Sequence, residues 1–180
     1  EILKFRAMVP KILKVTRKRQ LQSVQSYFIG CVFALLLLFI FGFMLGNIIV
    51  FSLWLFLDGV LVLMIHYHYL ILNKEIQVEV SNQYIELKCK GNVIRLHPDD
   101  IKHLTFYLTP SRKKGSKIEF LGIESYYYAR IVTTQNESYI LTSLLSENLR
   151  FVLSSTSFRS KIKEEKVLMA FRRSHFASNN

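Results

Sequence analysis

IIVFSLWLFLDGVLVLMIHYHYLILNKEIQVEV, residues 48–80, changes character at Asn73. From Ile48 to Leu72 the only charged side chain is Asp58. From Ile76 to Val80 apolar and polar residues alternate. A run of roughly 20 apolar residues is long enough, as a helix, to cross about 30 Å of hydrocarbon. Alternation with a period of two is the pattern of a strand with one face buried. The chain therefore passes from a membrane helix to a β domain within a few residues.

Upstream lies a second apolar run, SYFIGCVFALLLLFIFGFML, from Ser26 to Leu45. Gly46-Asn47 separates the two runs and suits a tight turn, so residues 26–73 are expected to form a transmembrane helical hairpin. The first run is not expected to be a signal peptide, because a long basic segment precedes it and no small-residue cleavage site follows. The chain opens on Glu1, so its natural start is expected to lie upstream.

The net charge of +11 is unevenly spread. Residues 1–25 carry seven Lys/Arg and one Glu, residues 74–155 eleven positive and nine negative charges, and residues 156–180 six positive and two negative. Basic flanks beside an apolar segment point to anionic lipid. Nucleic-acid binding, which would more often put a basic stripe on the folded domain, is not expected. Lys11, Lys14, Arg17, Lys18 and Arg19 precede the first run and no charge lies in the turn. The positive-inside rule then puts both ends of the chain in the cytoplasm. Tyr27, Tyr67 and Tyr69 are expected as interfacial anchors, with His66 and His68 snorkelling at the same level. Two residues apart on a helix, those histidines point about 200° apart and do not suit a metal. Residues 1–25 interleave Ile2, Leu3, Phe5, Met8, Val9, Ile12, Leu13 and Val15 with basic residues, broken by Pro10. They are expected to be a basic amphipathic segment on the membrane surface or a disordered tail.

Asp58 falls about 15 Å into the second run, near the bilayer midplane. A carboxyl there costs on the order of 2.5 to 3.5 kcal/mol on insertion scales. Leu35 to Phe39, at the matching depth of the first run, offer no donor. Asp58 is thus expected to be neutral, to pair with another membrane protein, or to share a proton with a second copy in a homodimer. Ser26, Gly30 and Ala34 repeat every four residues, and Gly42 and Gly46 make a GxxxG, spacings that let helices approach closely in lipid. Asp58, Ser26, Gly30, Ala34 and Trp54 are the candidate partner-binding residues.

Past Asn73, strands are expected at 76–80, 83–89, 92–97, 101–108, 117–125, 127–134 and 138–142, with a helix over 143–155. Arg112, Lys113 and Lys114 crowd the 109–116 loop and, with Arg17, Lys18 and Arg19, are the candidate lipid-binding residues. Lys88, Lys90 and Arg95 flank Gly91 in the first hairpin but form a thin basic set. Cys31 and Cys89 imply packing, not a disulfide or a metal knuckle. In HPDDIKH (97–103), His97, Asp99, Asp100 and His103 scatter around a turn, so no metal site is expected. No phosphate loop, Ser-His-Asp set or paired-Cys motif occurs, so the chain is not expected to be an enzyme or to carry a cofactor.

Seven short strands and a closing helix form the pattern of a pleckstrin-homology-like (PH-like) barrel. With YIEL (84–87), VIRLHPDDIKHL (93–104) and ILTSLLSENLRFVL (140–153), after two adjoining apolar spans, the chain resembles the YcxB-like and related bacterial PH-domain membrane proteins. The resemblance implies an α+β membrane protein, with a basic segment at 1–25, a hairpin at 26–73, a cytoplasmic PH-like seven-stranded barrel at 74–155 and a basic tail at 156–180. It implies binding to lipid headgroups, peptides or proteins, and assigns no catalytic residue. The expected function is that of an accessory or scaffold subunit of a larger complex in the bacterial cytoplasmic membrane. The alternative is a tethered module binding anionic phospholipid headgroups. The tail (Phe158 to Phe176) is expected to form a short amphipathic helix.

Overall fold

A computed structural model describes residues 10–113, 121–146 and 148–167. In chain order the elements are β1 (Lys11–Lys14), α1 (Arg17–Phe41), α2 (Leu45–Asn73), β2 (Ile76–Val80), β3 (Ile85–Cys89), β4 (Asn92–Leu96), β5 (Ile101–Leu108), α3 (Pro110–Lys113), β6 (Tyr128–Thr133), β7 (Ser138–Thr142), α4 (Leu149–Ser154) and β8 (Ile162–Lys166). Short 3₁₀ turns occupy Pro98–Asp100, Gly122–Ser125 and Ser157–Lys161.

Two long helices are present, both apolar and long enough to cross a membrane. Thr16 caps α1, its hydroxyl accepting from the Arg19 N–H at 3.3 Å. The helix thus starts inside the basic segment, earlier than the apolar pattern suggested. The turn also differs from expectation. It lies at residues 42–44, where Gly42 adopts φ 83°, a conformation that favours glycine. Gly46 and Asn47 belong to α2. Gly42 and Gly46 therefore do not form one helical GxxxG face.

The strands form two four-stranded sheets, ordered β1-β2-β3-β4 and β7-β6-β5-β8. The first is antiparallel throughout, and β8 joins β5 in parallel. Among the described residues no strand pairs across the two sheets, so the expected barrel is not closed. The strands β2, β5 and β7 have the expected bounds. Residues 122–125, expected in a strand, form a 3₁₀ turn, and 114–120 lie outside the described residues.

The sheet takes strands from both sides of the expected domain boundaries. β1 pairs with β2 (Lys11 opposite Val80, Lys14 opposite Gln77), so Lys11–Lys14 is an ordered strand of the sheet and not a disordered tail. Leu13 points into the main core while Lys11, Ile12 and Lys14 are exposed. The whole helical hairpin is therefore an insertion between two neighbouring strands. At the other end, the tail supplies the buried Phe158 and the strand β8 in place of an amphipathic helix. The calls on Ile2 to Val9 and on Leu168, Met169 and Phe171 fall outside the described residues.

The main core lies between the sheets and α4, with Val78, Ile85, Leu104, Phe106, Val152 and Phe158 among its members. A second core joins α2 to the second sheet through Val62, Ile65, Tyr69, Tyr126, Ile140 and Leu144. Neighbouring Leu144 and Leu145 enter different cores. That requirement is met by a turn, with the Leu145 N–H bonded to the Thr142 carbonyl, and helix begins only at Leu149.

Candidate functional site

Polar groups from both helices of the hairpin, at Ser23, Ser26 and Asp58, meet at one place, the 3₁₀ turn Gly122–Ser125. Asp58 Oδ2 accepts a hydrogen bond from the Gly122 N–H at 2.9 Å, with the carboxyl almost wholly buried. Its Oδ1 has no hydrogen-bond partner among the described residues. The Ser125 hydroxyl lies 2.8 Å from the Ser23 carbonyl and 2.9 Å from the Gly122 carbonyl; its one proton serves either acceptor. Ser26 Oγ reaches the Gly122 carbonyl at 3.5 Å. Both helices are thus hydrogen-bonded to the same turn.

Glycine is required where the turn enters. A Cβ on Gly122 would stand 2.6 Å from Val62 Cγ2, 2.8 Å from Tyr27 Cβ and 3.2 Å from Asp58 Oδ2. Gly59 admits the Tyr27 ring in the same way, a Cβ there standing 2.7 Å from the hydroxyl oxygen. The Tyr27 hydroxyl donates to the Leu55 carbonyl at 3.3 Å.

Further down α2, His66 Nδ1 and the Tyr126 hydroxyl are 2.9 Å apart, and Tyr69 packs edge-on against Tyr126. At the end of α2 the buried Asn73 donates to the Ile140 carbonyl at 3.0 Å and accepts from the Thr142 N–H at 2.8 Å. These bonds stand in for a β-ladder along β7 and fix the helix to the sheet.

This geometry corrects the premise drawn from Asp58. The missing donor does not require a second polypeptide, because the chain's own β domain supplies it. Tyr69 is a core residue and not an interfacial anchor; Tyr67 alone of that pair is exposed. His66 is bonded to Tyr126 instead of snorkelling. Of the small-residue stripe, Ala34 is fully buried and Ser26 touches Gly122, so both pack within the chain. Gly30 and Trp54 are half-buried. Gly122, Ser125 and Asn73 were not anticipated, and the Tyr126-Tyr127-Tyr128 run, expected to alternate between core and surface, is buried throughout. One signal was available: a glycine inside a strand-like stretch marks close approach of another element.

The basic residues divide by position. Lys88 pairs with Glu86 at 3.0 Å and Glu79 at 3.4 Å, Lys90 with Glu75 at 3.2 Å, and Arg95 with Glu86. Arg95, then Lys88, hold the Glu86 carboxyl below its usual range through hydrogen bonds and charge. The first β-hairpin therefore presents a neutralised ladder. Arg112 lies over the Tyr127 ring at 5.6 Å, and Lys113 Nζ reaches the Glu164 carbonyl at 3.4 Å. Lys114 lies outside the described residues. Arg17 and Lys18 are exposed at the base of α1, and Arg19 is half-buried beside Gln22. No group of three or more metal-ligating side chains occurs among the described residues, and His97, Asp99, Asp100 and His103 form none. Instead, Asp100 Oδ2 accepts from the His97 N–H at 2.8 Å and closes the 3₁₀ turn.

The sequence pattern of the PH-domain family matches residues 12–152, a span that begins within β1 and takes in the hairpin and the strands β2 to β7, with β8 lying beyond it. The chain belongs to the PH-domain family. A PH domain is a protein- or lipid-binding module and is typically non-catalytic. No curated protein is similar enough to the chain to match it. Among solved structures, the Spt16D–Pob3N heterodimer contains a chain that is 11% identical, with a TM-score of 0.35. The alignment covers 57% of this chain and 54% of that one, so the match spans about half of the solved chain. Likeness at that level carries no functional meaning.

Proposed function

We propose that this protein is a non-enzymatic, membrane-anchored PH domain, an accessory or scaffold subunit of a larger complex in the bacterial cytoplasmic membrane. It serves transport, secretion or envelope assembly, with both termini in the cytoplasm. The observation that carries the reading is the insertion of an apolar hairpin between β1 and β2. A domain attached through a single linker could tumble. Here the hairpin enters from one strand and returns to its neighbour, and hydrogen bonds between Asp58 and the Gly122 turn and between Asn73 and β7 hold it to the domain. Such a domain keeps one orientation on the bilayer, as a scaffold needs. Two adjoining apolar helices joined to a PH-like β domain are also what the YcxB-like resemblance implies at its coarsest.

Partner contact falls to the outward faces, since Asp58, Ser26 and Ala34 are turned inward. Leu53, Phe56 and Leu63 are exposed along one side of α2. A photo-crosslinker placed at each of them in the full chain, in native membranes, tests the reading. One protein captured from all three sites, and lost from co-purification on Leu63→Ser, supports it. Crosslinks to lipid alone overturn the subunit reading.

The alternative, binding of anionic phospholipid, is favoured by the exposed Arg17 and Lys18 at the base of α1. It predicts that Arg17→Gln with Lys18→Gln weakens flotation with phosphatidylglycerol vesicles and leaves flotation with phosphatidylcholine vesicles unchanged.

A further inference from the structure

We propose that the hairpin dips into the bilayer from one face without crossing it, so that the turn at residues 42–44 sits among acyl chains. The inference deepens the membrane reading above and rests on it. Its occupant is lipid hydrocarbon, and four observations bear on depth.

The first is length. Beyond the contacts of the β domain, α1 runs over residues 28–41 and α2 over 45–57. At 1.5 Å per residue each is about 20 Å long, short of the roughly 30 Å of a bilayer core. The Gly122 turn blocks deeper entry, because it is hydrogen-bonded to Asp58 and wedged against Tyr27 and Val62.

The second is the level at which the polar surface begins. Arg17, Lys18, Gln22 and Gln25 are exposed on α1 alongside the β domain. On the α1 side they put headgroups or water at that level, while α2 exposes Leu63, Met64 and Tyr67 beside them. The third is the chemistry of the tip. Phe39, Ile40, Phe41, Phe43, Met44 and Leu45 are all more than three-fifths exposed. No Lys, Arg, Tyr or Trp lies between Phe28 and Leu53. A turn emerging at a far headgroup layer would be expected to carry such anchors.

The fourth is the turn's backbone. The Asn47 amide donates to the Gly42 carbonyl at 3.3 Å and to the Phe41 carbonyl at 3.4 Å. Carbonyls at a helix end are otherwise left to water, and inside lipid they must be met by the chain itself. Asn47 is the one residue of the turn region with an amide side chain, and it is spent on this task.

Depth-dependent quenching in proteoliposomes tests the proposal. The full chain carries Trp54→Phe and Phe43→Trp, and the lipids are brominated either near the acyl ends or near the headgroups. A dipping hairpin loses more fluorescence to bromine at the acyl ends. A crossing hairpin loses more to bromine near the headgroups, and that result overturns the proposal. A second measurement uses Met44→Cys, with Cys31 and Cys89 replaced by serine, and a membrane-impermeant maleimide. No labelling from either face before detergent is expected, while Lys18→Cys is labelled from one face. Labelling of residue 44 from the face opposite residue 18 would falsify the dip. Release of the wild-type chain from membranes by alkaline carbonate would instead sink the membrane reading itself.

Discussion

The two halves of α2 are both apolar and have opposite surroundings. From Leu45 to Leu57, most apolar side chains face outward with no protein over them. From Asp58 to Asn73, one face is a protein core: Val62, Ile65 and Tyr69 are sealed against Ile123, Tyr126 and Ile140. The boundary falls at the residue that breaks the apolar run. Asp58 therefore marks where the hairpin leaves the domain, and the difference teaches that a lone charge in an apolar helix can signal an internal junction as well as an external partner.

If the base is a protein core, Gly122→Val should have the largest effect. Its side chain has no space between Val62 and Tyr27, and overpacking of this kind costs about 3 kcal/mol. Urea or thermal unfolding in detergent would read it as a lowered midpoint. Asn73→Ala should follow, at about 2 kcal/mol, because it orphans a buried carbonyl on Ile140 and a buried N–H on Thr142.

Asp58→Leu should cost roughly 1.5 kcal/mol by orphaning the Gly122 N–H. Asp58→Asn keeps an acceptor there and should be milder. Equal losses for the two variants would mean that the charge, and not the hydrogen bond, holds the junction. At the tip the same measurement should find almost nothing. Phe43→Ser is expected to change unfolding in detergent by less than about 0.5 kcal/mol while weakening retention in membranes. A large loss in detergent would break the contrast between the halves.

The smallest effect concerns the charged ladder, remote from both halves. Glu86 is held below the ordinary glutamate value of 4.5 by Arg95 and Lys88. Its contribution is therefore present above that value and lost as pH falls through the lower folded value. Glu86→Gln should flatten the acid side of the stability–pH curve below about pH 4.5 and leave its alkaline side unchanged.

The strands β2, β5 and β7 were legible because alternation bounded by turn residues reports a half-buried strand directly. The hairpin was legible because long uncharged runs have few other uses. The position of its turn was not. Gly42 and Gly46 are equivalent by type, and only the backbone conformation at Gly42 separates them. β1 and β8 were missed because both are short and rich in charged residues, and a strand pair closed over a long sequence separation leaves no local trace. The junction was missed for the same reason: Asp58 and Gly122 are brought together by the fold, not by spacing. Ser26 and Ala34 were legible as packing residues, but their spacing could not say which surface they pack on.

By itself the sequence determined that this chain has an apolar helical pair, a β domain after it and a basic approach to the pair. Each follows from a local property: hydropathy over a helix length, period-two alternation, or charge density. Only the tertiary structure decided that the helices interrupt a sheet and that Asp58 is met from within. Those relations depend on long-range contacts, and burial of a side chain is a property of what surrounds it in space.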